Sequence, residues 1–311
     1  MFARAGAPGT VRQERHTRAR TGAIGYIRPA FRRGREQVAI GRQFGTWVGR
    51  ALGALVLAWL ALPARAAPEE SIRLASGTEI ASQRYPAGGK ALAVWITGQY
   101  GRVEEEHKAA ADMAAQGVET WVTDFYAPYF LPLVPSGWSQ VPDQDVAEWL
   151  EQVRQRQPGR VLVLVAPGRA ASLALRAVSA WQARFGQAGA RPAPVAGALL
   201  MFPLLYQELD PGQEPEYDPA VKGARLDLVI LQPKSSAGFW WRDRLKGILE
   251  QAGSRVWLTV LPGLRDGFYR RGDINAQEIA AGARLGQIVL EGMAPLIAQR
   301  PVPPSAPEVR P

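Results

Sequence analysis

The sequence predicts an α/β fold, a three-layer α/β/α sandwich in which helices cover both faces of a mostly parallel β-sheet. From Ser71 onward, short apolar segments alternate with longer segments of helical character, the order expected of strand–helix–strand units. Most of the short segments contain continuous apolar runs, which are typical of strands buried on both faces. Gly117, Gly186 and Gly253 fall where the helical segments stop.

The elements follow from this alternation. Two short strand candidates lie at residues 71–74 and 79–84, and six further segments are predicted as strands at 91–97, 118–124, 161–165, 195–202, 226–232 and 256–261. Five helices are predicted at residues 103–116, 145–156, 169–185, 239–252 and 275–298. Asp145 and Asn275 can act as N-caps, because their side-chain oxygens can accept hydrogen bonds from the first amides of a helix.

Residues 67–300 are predicted to form one α/β domain of ordinary size. The last segment, 301–311, has five prolines in eleven residues and is predicted to be an extended tail. Two connections are longer than the fold needs. The first, 126–142, is aromatic and apolar and is predicted to pack as a flap. The second, 204–224, is rich in Glu, Asp, Pro and Gly.

The net charge of +9 lies entirely in the leader. Residues 1–50 hold eleven arginines against Glu14 and Glu36, whereas the rest of the chain has 26 basic and 26 acidic residues. The folded part therefore lacks the positive surface expected of a nucleic-acid-binding protein, and no nucleic-acid partner is predicted. The chain has no cysteine, so thiolate chemistry is excluded. It has two histidines, His16 and His107. No metal site and no cofactor are predicted.

The leader resembles an export signal. Arg50 precedes twelve apolar residues, 51–62, which are followed by Ala64, Arg65 and Ala66. A positive flank, an apolar run too short for a membrane span and an Ala-x-Ala site predict cleavage after Ala66 and a periplasmic or secreted protein. The segment 1–47 is too long to be the positive flank of a signal peptide, so we interpret it as a basic leader or a misassigned start. In the second case Val48 would be the initiator. The signal peptide is predicted at 48–66. The alternative is an uncleaved anchor, which would be the only membrane contact, or a buried helix.

Residues 161–175, VLVLVAPGRAASLAL, have the pattern of a strand that enters a tight turn and then a helix. This stretch resembles the nucleophile elbow of the α/β-hydrolase superfamily, Gly-x-Ser-x-Gly, and the order of segments resembles that superfamily over nearly the whole of 67–300. The resemblance implies that 204–224 occupies the place of a cap. Gly168 stands at the position of the nucleophilic serine and offers no oxygen to attack a carbonyl.

The resemblance also locates the other reactive positions of the superfamily. Residues 97–101, TGQYG, occupy the turn that supplies part of the oxyanion hole. Ser235 lies where the acid is expected, and no carboxylate follows before Asp243. Asp266, within 263–268, GLRDGF, lies where the histidine is expected. Because all three triad positions are replaced, the sequence predicts a scaffold without this chemistry.

Other polar residues have simpler interpretations. His107 is predicted to be a solvated or capping histidine, and Glu104, Glu105 and Glu106 are explained by the dipole of their helix. Asp124 is predicted to hydrogen-bond the loop that follows it. Ser172 is predicted to be buried behind the elbow, with a role as alternative nucleophile as the other interpretation. The best binding candidate is a polar cluster at the sheet edge, made of Arg265, Asp266, Tyr269, Arg270 and Arg271.

The leading prediction is an exported, non-catalytic binding or envelope-associated protein. Its ligand would be a small anion or a loop of an envelope protein, because the start of a helix suits anions. The predicted ligand-binding residues are Gly98, Gln99, Tyr100, Arg169, Arg265 and Asp266. Two alternatives stay open: an esterase-like hydrolase with a shifted nucleophile or an aspartate-dependent mechanism, and an envelope scaffold that holds a partner with its flap and proline tail.

Overall fold

A computed structural model describes residues 67–186, 195–206, 214–223 and 225–298. Eight strands form one sheet in the order β1-β2-β4-β3-β5-β6-β7-β8, which confirms the predicted fold class. The strands are β1 (Glu69–Arg73), β2 (Glu79–Tyr85), β3 (Ala91–Ile96), β4 (Glu119–Thr123), β5 (Val161–Pro167), β6 (Val195–Met201), β7 (Asp227–Pro233) and β8 (Arg255–Leu261). The predicted leader, signal peptide and tail lie outside the described residues.

Helices connect the strands. They are α1 (Glu104–Ala115), α2 (Asp143–Arg156), α3 (Ala170–Phe185), α4 (Ala220–Gly223), α5 (Arg242–Gln251), α6 (Ala276–Gly282) and α7 (Leu285–Ala298). Short 3-10 helices lie at Ala127–Tyr129, Pro135–Gln140 and Ala237–Trp241. Within the described parts of the chain, no helix combines the length and the apolar character needed to cross a bilayer.

The direction of the strands brings several loops to one edge of the sheet. β2 runs antiparallel to β1 and β4, whereas β3 is parallel to β4 and all pairs from β3 to β8 are parallel. The register places Val94 opposite Trp121 and Leu164. Because parallel strands end at the same edge, the loops after β3, β5, β7 and β8 meet there.

The sheet separates two hydrophobic cores. Val94, Leu164 and Leu200 face one side and pack with α2 and α3, whereas Val165 and Leu199 face the other and pack with α1 and α7. Successive side chains of a strand point to opposite faces, so strands with both faces covered are apolar throughout. The continuous apolar segments of the sequence are the result of this arrangement.

Two features of the predicted helices are wrong. The last helix, 275–298, is two helices, α6 and α7, which are separated at 283–284. Asn275 does cap α6, because its side chain accepts a hydrogen bond from the Glu278 amide at 3.0 Å. Asp145 does not cap α2, since that helix begins two residues earlier, after Pro142. Instead, Asp145 Oδ2 accepts hydrogen bonds from Ser76 Oγ at 2.9 Å and Tyr129 Oη at 2.8 Å.

The long connection at 126–142 is a folded loop that contains two of the 3-10 helices. Tyr126 and Trp138 are buried and meet edge to face, with 4.6 Å between ring centroids. Phe130 at the tip is 96% exposed. The predicted flap therefore packs at its base and presents apolar side chains to solvent at its tip.

Candidate functional site

Gly168 forms the turn between β5 and α3. Its φ of +57° lies in the left-handed region, which glycine adopts without strain. Its amide donates to the Met201 carbonyl at 2.9 Å, and its carbonyl accepts from the Leu204 amide at 3.1 Å. These two bonds hold the turn against the end of β6. The backbone thus makes a sharp strand-to-helix turn at the predicted place, and the residue at its apex has no side chain.

The side chain of Gln99 fills the space next to this apex. Gln99 lies in the turn after β3 and is 7% exposed. Its Oε1 atom accepts a hydrogen bond from the backbone amide of Arg169 at 3.3 Å. A Cβ atom on residue 168 would lie 2.8 Å from the same oxygen, which is closer than side chains tolerate. Gln99 therefore occupies the room that a side chain at position 168 would need.

The amide that Gln99 engages has a known use in enzymes with this kind of turn. In such enzymes, the N–H of the residue after the nucleophile stabilises the negative oxygen of the tetrahedral intermediate. In this chain the corresponding amide belongs to Arg169 and already donates to a neutral side-chain oxygen. A substrate oxygen would have to displace Gln99 to reach this donor.

The guanidinium of Arg270 packs against three loops at the same edge. Cβ atoms on Gly98 and Gly267 would lie 2.5 Å and 2.9 Å from its Nη1 and Nε atoms. A Cβ on Gly168 would lie 3.6 Å from Nη2. The guanidinium carbon is 4.5 Å from the centre of the Tyr100 ring, a cation–π distance. Nη1 is buried and has no hydrogen-bond partner among the described residues.

Two carboxyl groups with raised pKa values lie near this arginine. Burial raises the pKa of Asp266 to about 6, although a hydrogen bond with Ser236 and the charges of Arg270 and Arg271 oppose the shift. Burial also raises the pKa of Glu106 to about 7, against the hydrogen bond from Tyr269 and the charge of Arg270. Tyr269 Oη donates to Glu106 Oε1 at 2.8 Å. A carboxyl that stays partly protonated near neutral pH can donate or accept a proton.

The burial of Glu106 corrects its interpretation as a helix-dipole charge. Glu104 and Glu105 are exposed and fit that explanation, but Glu106 is 0% exposed and faces Tyr269. His107 is half-buried and not solvated, and its Nδ1 atom lies 2.9 Å from Tyr85 Oη. The prediction for Asp124 is confirmed, because its side chain accepts a hydrogen bond from the Tyr126 amide at 2.8 Å.

The remaining predicted residues lie in different surroundings. Ser235 is exposed, and its amide donates to the Leu264 carbonyl at 3.0 Å. Arg265 binds Glu278 at 2.6 Å and Asp273 at 2.9 Å, so it ties the loop after β8 to α6. The ligand-binding role of Arg265 stays a prediction. Among the described residues, no three His, Cys, Asp or Glu side chains could hold a metal ion together.

A groove of about 700 Å³ runs along α3. Its floor is one face of that helix, formed by Arg169, Ser172, Arg176, Ser179, Ala180 and Ala183. Its walls include Trp138, Tyr206 and Asp218. Ser172 is half-buried here and not closely packed, and its Oγ donates to Asp218 Oδ2. We refer to this feature as the α3 groove.

Several solved structures that this chain resembles carry the names of hydrolases. An esterase from the planctomycete Thermogutta terrifontis with propionate bound is 14% identical, with a TM-score of 0.54 over 76% of this chain and 97% of its own. An esterase from the archaeon Pyrobaculum calidifontis is 14% identical, with a TM-score of 0.54 over 77% and 90%. A protein assigned as a dienelactone hydrolase from Klebsiella pneumoniae is 15% identical, with a TM-score of 0.53 over 75% and 98%.

This chain therefore has the α/β-hydrolase fold, as the resemblance of its segments implied. Neither a protein-family model nor a curated protein sequence matches it. At such low identity the likeness concerns the fold alone, and the function has to be argued from the site.

Proposed function

We propose that this chain is an exported binding protein that keeps the α/β-hydrolase fold without hydrolase chemistry. The observation that carries the proposal is the pair formed by Gly168 and Gln99. The apex of the turn offers no nucleophile, and the adjacent amide donor is engaged by a side chain of the protein itself. Acyl transfer to an enzyme nucleophile needs both an attacking atom and an accessible oxyanion donor.

The proposed ligand site is the sheet edge around Tyr100 and Arg270. Tyr100 is 60% exposed, and its ring centre lies 4.5 Å from the guanidinium carbon of Arg270. This arrangement favours a small anion or an acidic loop of an envelope protein, because a guanidinium binds oxyanions with charge-assisted hydrogen bonds. Gly98, Gln99, Arg169 and Asp266 surround it, and no metal or cofactor takes part.

Labelling with a fluorophosphonate probe tests the absence of an activated serine. We expect no covalent mass increase on the purified full-length protein after incubation with excess probe. As a positive control, an active serine esterase in the same solution should be labelled completely. Stoichiometric labelling of this protein at one serine would overturn the proposal.

A second candidate function is an esterase-like hydrolase that uses Ser172. The hydrogen bond between Ser172 and Asp218 in the α3 groove favours it, since an adjacent carboxylate can accept a hydroxyl proton. However, Asp218 Oδ1 also accepts from the Ala220 amide at 2.8 Å and so caps α4. Loss of probe labelling in Ser172→Ala, with labelling retained in Ser179→Ala, would select this alternative.

Export is a separate part of the proposal. It rests on the leader sequence, in which residues 51–62 and the Ala-x-Ala site at 64–66 form a cleavable signal. Sequencing the N-terminus of the protein isolated from the periplasm or the medium should give Ala67 as the first residue. A cytoplasmic protein that retains residues 48–66 would contradict it.

A further inference from the structure

β8 is an edge of the sheet, and its side away from β7 has no partner strand among the described residues. The Lys234 amide donates to the Leu261 carbonyl at 2.9 Å, so the backbone of Leu261 faces β7. Since the backbone groups of successive residues point to alternate sides of a strand, Val256, Leu258 and Val260 turn their N–H and C=O groups to the open side. β8 therefore presents a row of backbone donors and acceptors that no described strand pairs.

The side chains of β8 are also less covered than those of the central strands. β3, β4 and β6 are buried at every position. In β8 only Val256 is buried, and Val260 is 38% exposed. From Val256 to Leu261 the strand reads VWLTVL, without a charge, a proline or a glycine. Edge strands are usually protected by such residues, so an apolar edge of this length favours pairing with another strand.

The other edge of the sheet has the protection that β8 lacks. β1 reads EESIR and carries charges at three of its five positions, Glu69, Glu70 and Arg73. Arg73 and Glu79 of the neighbouring strand form an exposed ion pair at 3.4 Å. Charges along an edge oppose the approach of another strand, because pairing would remove water from them. Of the two edges, β8 is the one suited to pairing.

The backbone of β8 is complementary to a second copy of itself. When two copies run antiparallel about a two-fold axis at Leu258, all seven residues of the strand overlap. Val256 then lies opposite Val260 of the second copy, and Leu258 lies opposite its own copy. All three residues face the open side, so each of these pairs can exchange two backbone hydrogen bonds.

The side chains match in the same register. Trp257 lies opposite Thr259 of the second copy, a pairing of an aromatic and a β-branched residue that stabilises antiparallel strands. Arg255 is the only charged residue of the strand and lies opposite Leu261. It keeps its ion pair with Asp227 of its own chain, at 2.5 Å. No charge in the paired strands therefore faces a like charge.

We propose that this protein is a homodimer in which the β8 strands of two copies pair antiparallel about a two-fold axis at Leu258, so that one sheet continues through both copies. A second copy suits this edge because a two-fold axis covers both open edges with the same residues and leaves no unmatched charge. The inference does not depend on the proposed function, since it involves neither Gly168 nor Gln99.

The mass of the purified full-length protein in solution gives the first test. Light scattering coupled to size exclusion should give twice the mass of one chain. Thr259 is exposed, and in the dimer it lies diagonally opposite its own copy, about 7 Å away. Thr259→Lys should therefore raise the dissociation constant at least about tenfold, and mixing it with Thr259→Glu should restore the dimer. Ser71→Lys, at an exposed position of β1, should leave the dimer unchanged.

A single introduced thiol tests the register, because the chain has no cysteine. The Cα atoms of the two Leu258 residues should lie about 5.5 Å apart, within the range of a disulfide. The two Val260 residues lie four positions apart along the paired strands, about 14 Å. On oxidation, Leu258→Cys should form a disulfide-linked dimer in at least about fivefold higher yield than Val260→Cys.

Three results would overturn the proposal. The first is a protein that stays monomeric at its highest soluble concentration. The second is a dimer of unchanged affinity in Thr259→Lys, which would place the interface elsewhere. The third is an equal yield of crosslinked dimer from Leu258→Cys and Val260→Cys. If Leu258→Cys weakens the fold, Thr259→Lys and its mixture with Thr259→Glu still decide, since the side chain of residue 259 lies outside the core.

Discussion

Gln99 Oε1 accepts a hydrogen bond from the Arg169 amide at 3.3 Å, although the two residues are seventy positions apart. The contact joins the loop after β3 to the first turn of α3. It places a side-chain oxygen of the protein at a donor that an acyl-transfer enzyme would offer to its reaction intermediate. Gly168 and Gln99 are thus complementary, because the missing side chain of one makes room for the other.

The first prediction concerns this complementarity. Gly168→Ala should lower the free energy of unfolding by about 1–3 kcal/mol, since the new Cβ forces Gln99 away from the Arg169 amide and strains a left-handed residue. Gly77→Ala is the control, because Gly77 also has a positive φ, of +87°, but no atom within 4 Å of the new Cβ.

Urea unfolding of each glycine variant, with and without the additional substitution Gln99→Ala, measures the contact between residues 99 and 168. Gln99→Ala should recover part of the cost of Gly168→Ala and none of the cost of Gly77→Ala. Strictly additive effects of Gln99→Ala and Gly168→Ala would show that the two residues do not compete for the same space.

The second prediction concerns the pH dependence of stability. The pKa of Glu106 is about 7 in the folded protein and 4.5 as its ordinary value, so the folded state holds a proton that the unfolded state releases. The stabilisation by protonated Glu106 is complete below pH 4.5 and is lost as the pH rises through about 7, about 3 kcal/mol in all. Asp266 acts in the same direction, because its pKa is raised from 3.8 to about 6 in the folded protein.

Thermal or urea unfolding between pH 5 and pH 8 measures this loss. Glu106→Gln should remove most of the slope and stabilise the protein at pH 8, because the amide carries no charge to bury. Glu105→Gln is the matched control, since Glu105 is exposed on the same turn and should leave the slope unchanged. Asp266 accounts for a residual slope below about pH 6, so an unchanged slope between pH 6 and pH 8 in Glu106→Gln would refute the assignment.

The third prediction distinguishes the effects of Arg270 and Arg271 on the pKa values of Glu106 and Asp266. Arg270→Met should raise the pKa of both Glu106 and Asp266, because its charge favours the ionised form of each. Arg271→Met should raise the pKa of Asp266 alone, since Arg271 acts only on that group of the two. Carboxyl ¹³C chemical shifts followed by NMR across pH 4–9 distinguish these outcomes, and equal shifts in both variants would contradict the geometry.

The fourth prediction concerns Arg265. Arg265→Ala should lower the free energy of unfolding more than Arg271→Ala does, because it leaves the Glu278 carboxylate, whose side chain is 0% exposed, without its charged partner. Arg271→Ala should cost less than about 1 kcal/mol, since its ion pair with Asp273 is exposed. Both are measured by urea unfolding at pH 7. Equal effects would mean that Arg265 does not anchor the loop to α6.

The sequence predicts the strands well because the physical signal is local. Each of the segments 91–97, 161–165 and 226–232 is apolar at nearly every position, and each forms a strand covered on both faces. The sequence does not predict the break between α6 and α7 at 283–284, because helix-forming residues stand on both sides of it. Tyr269 packs against Gly282 just before this break, a tertiary contact that no local pattern reveals.

The candidate site also has one part that the sequence predicts and another that it does not. The turn at Gly168 is predictable because it needs only a strand, a glycine and a helix in sequence. The roles of Gln99 and Glu106 are not, since each depends on a partner from a distant loop. Three consecutive glutamates look alike in the sequence, and only the position of Tyr269, 163 residues away, decides which of them is buried.

The most direct test of the central claim is turnover of short-chain p-nitrophenyl esters by the purified protein. The absence of a nucleophile at Gly168 predicts a hydrolysis rate equal to that of a non-enzymatic protein control. The rate should be the same for the wild type, Ser172→Ala and Asp266→Asn. Saturable turnover by the wild type that disappears in either variant would contradict the claim.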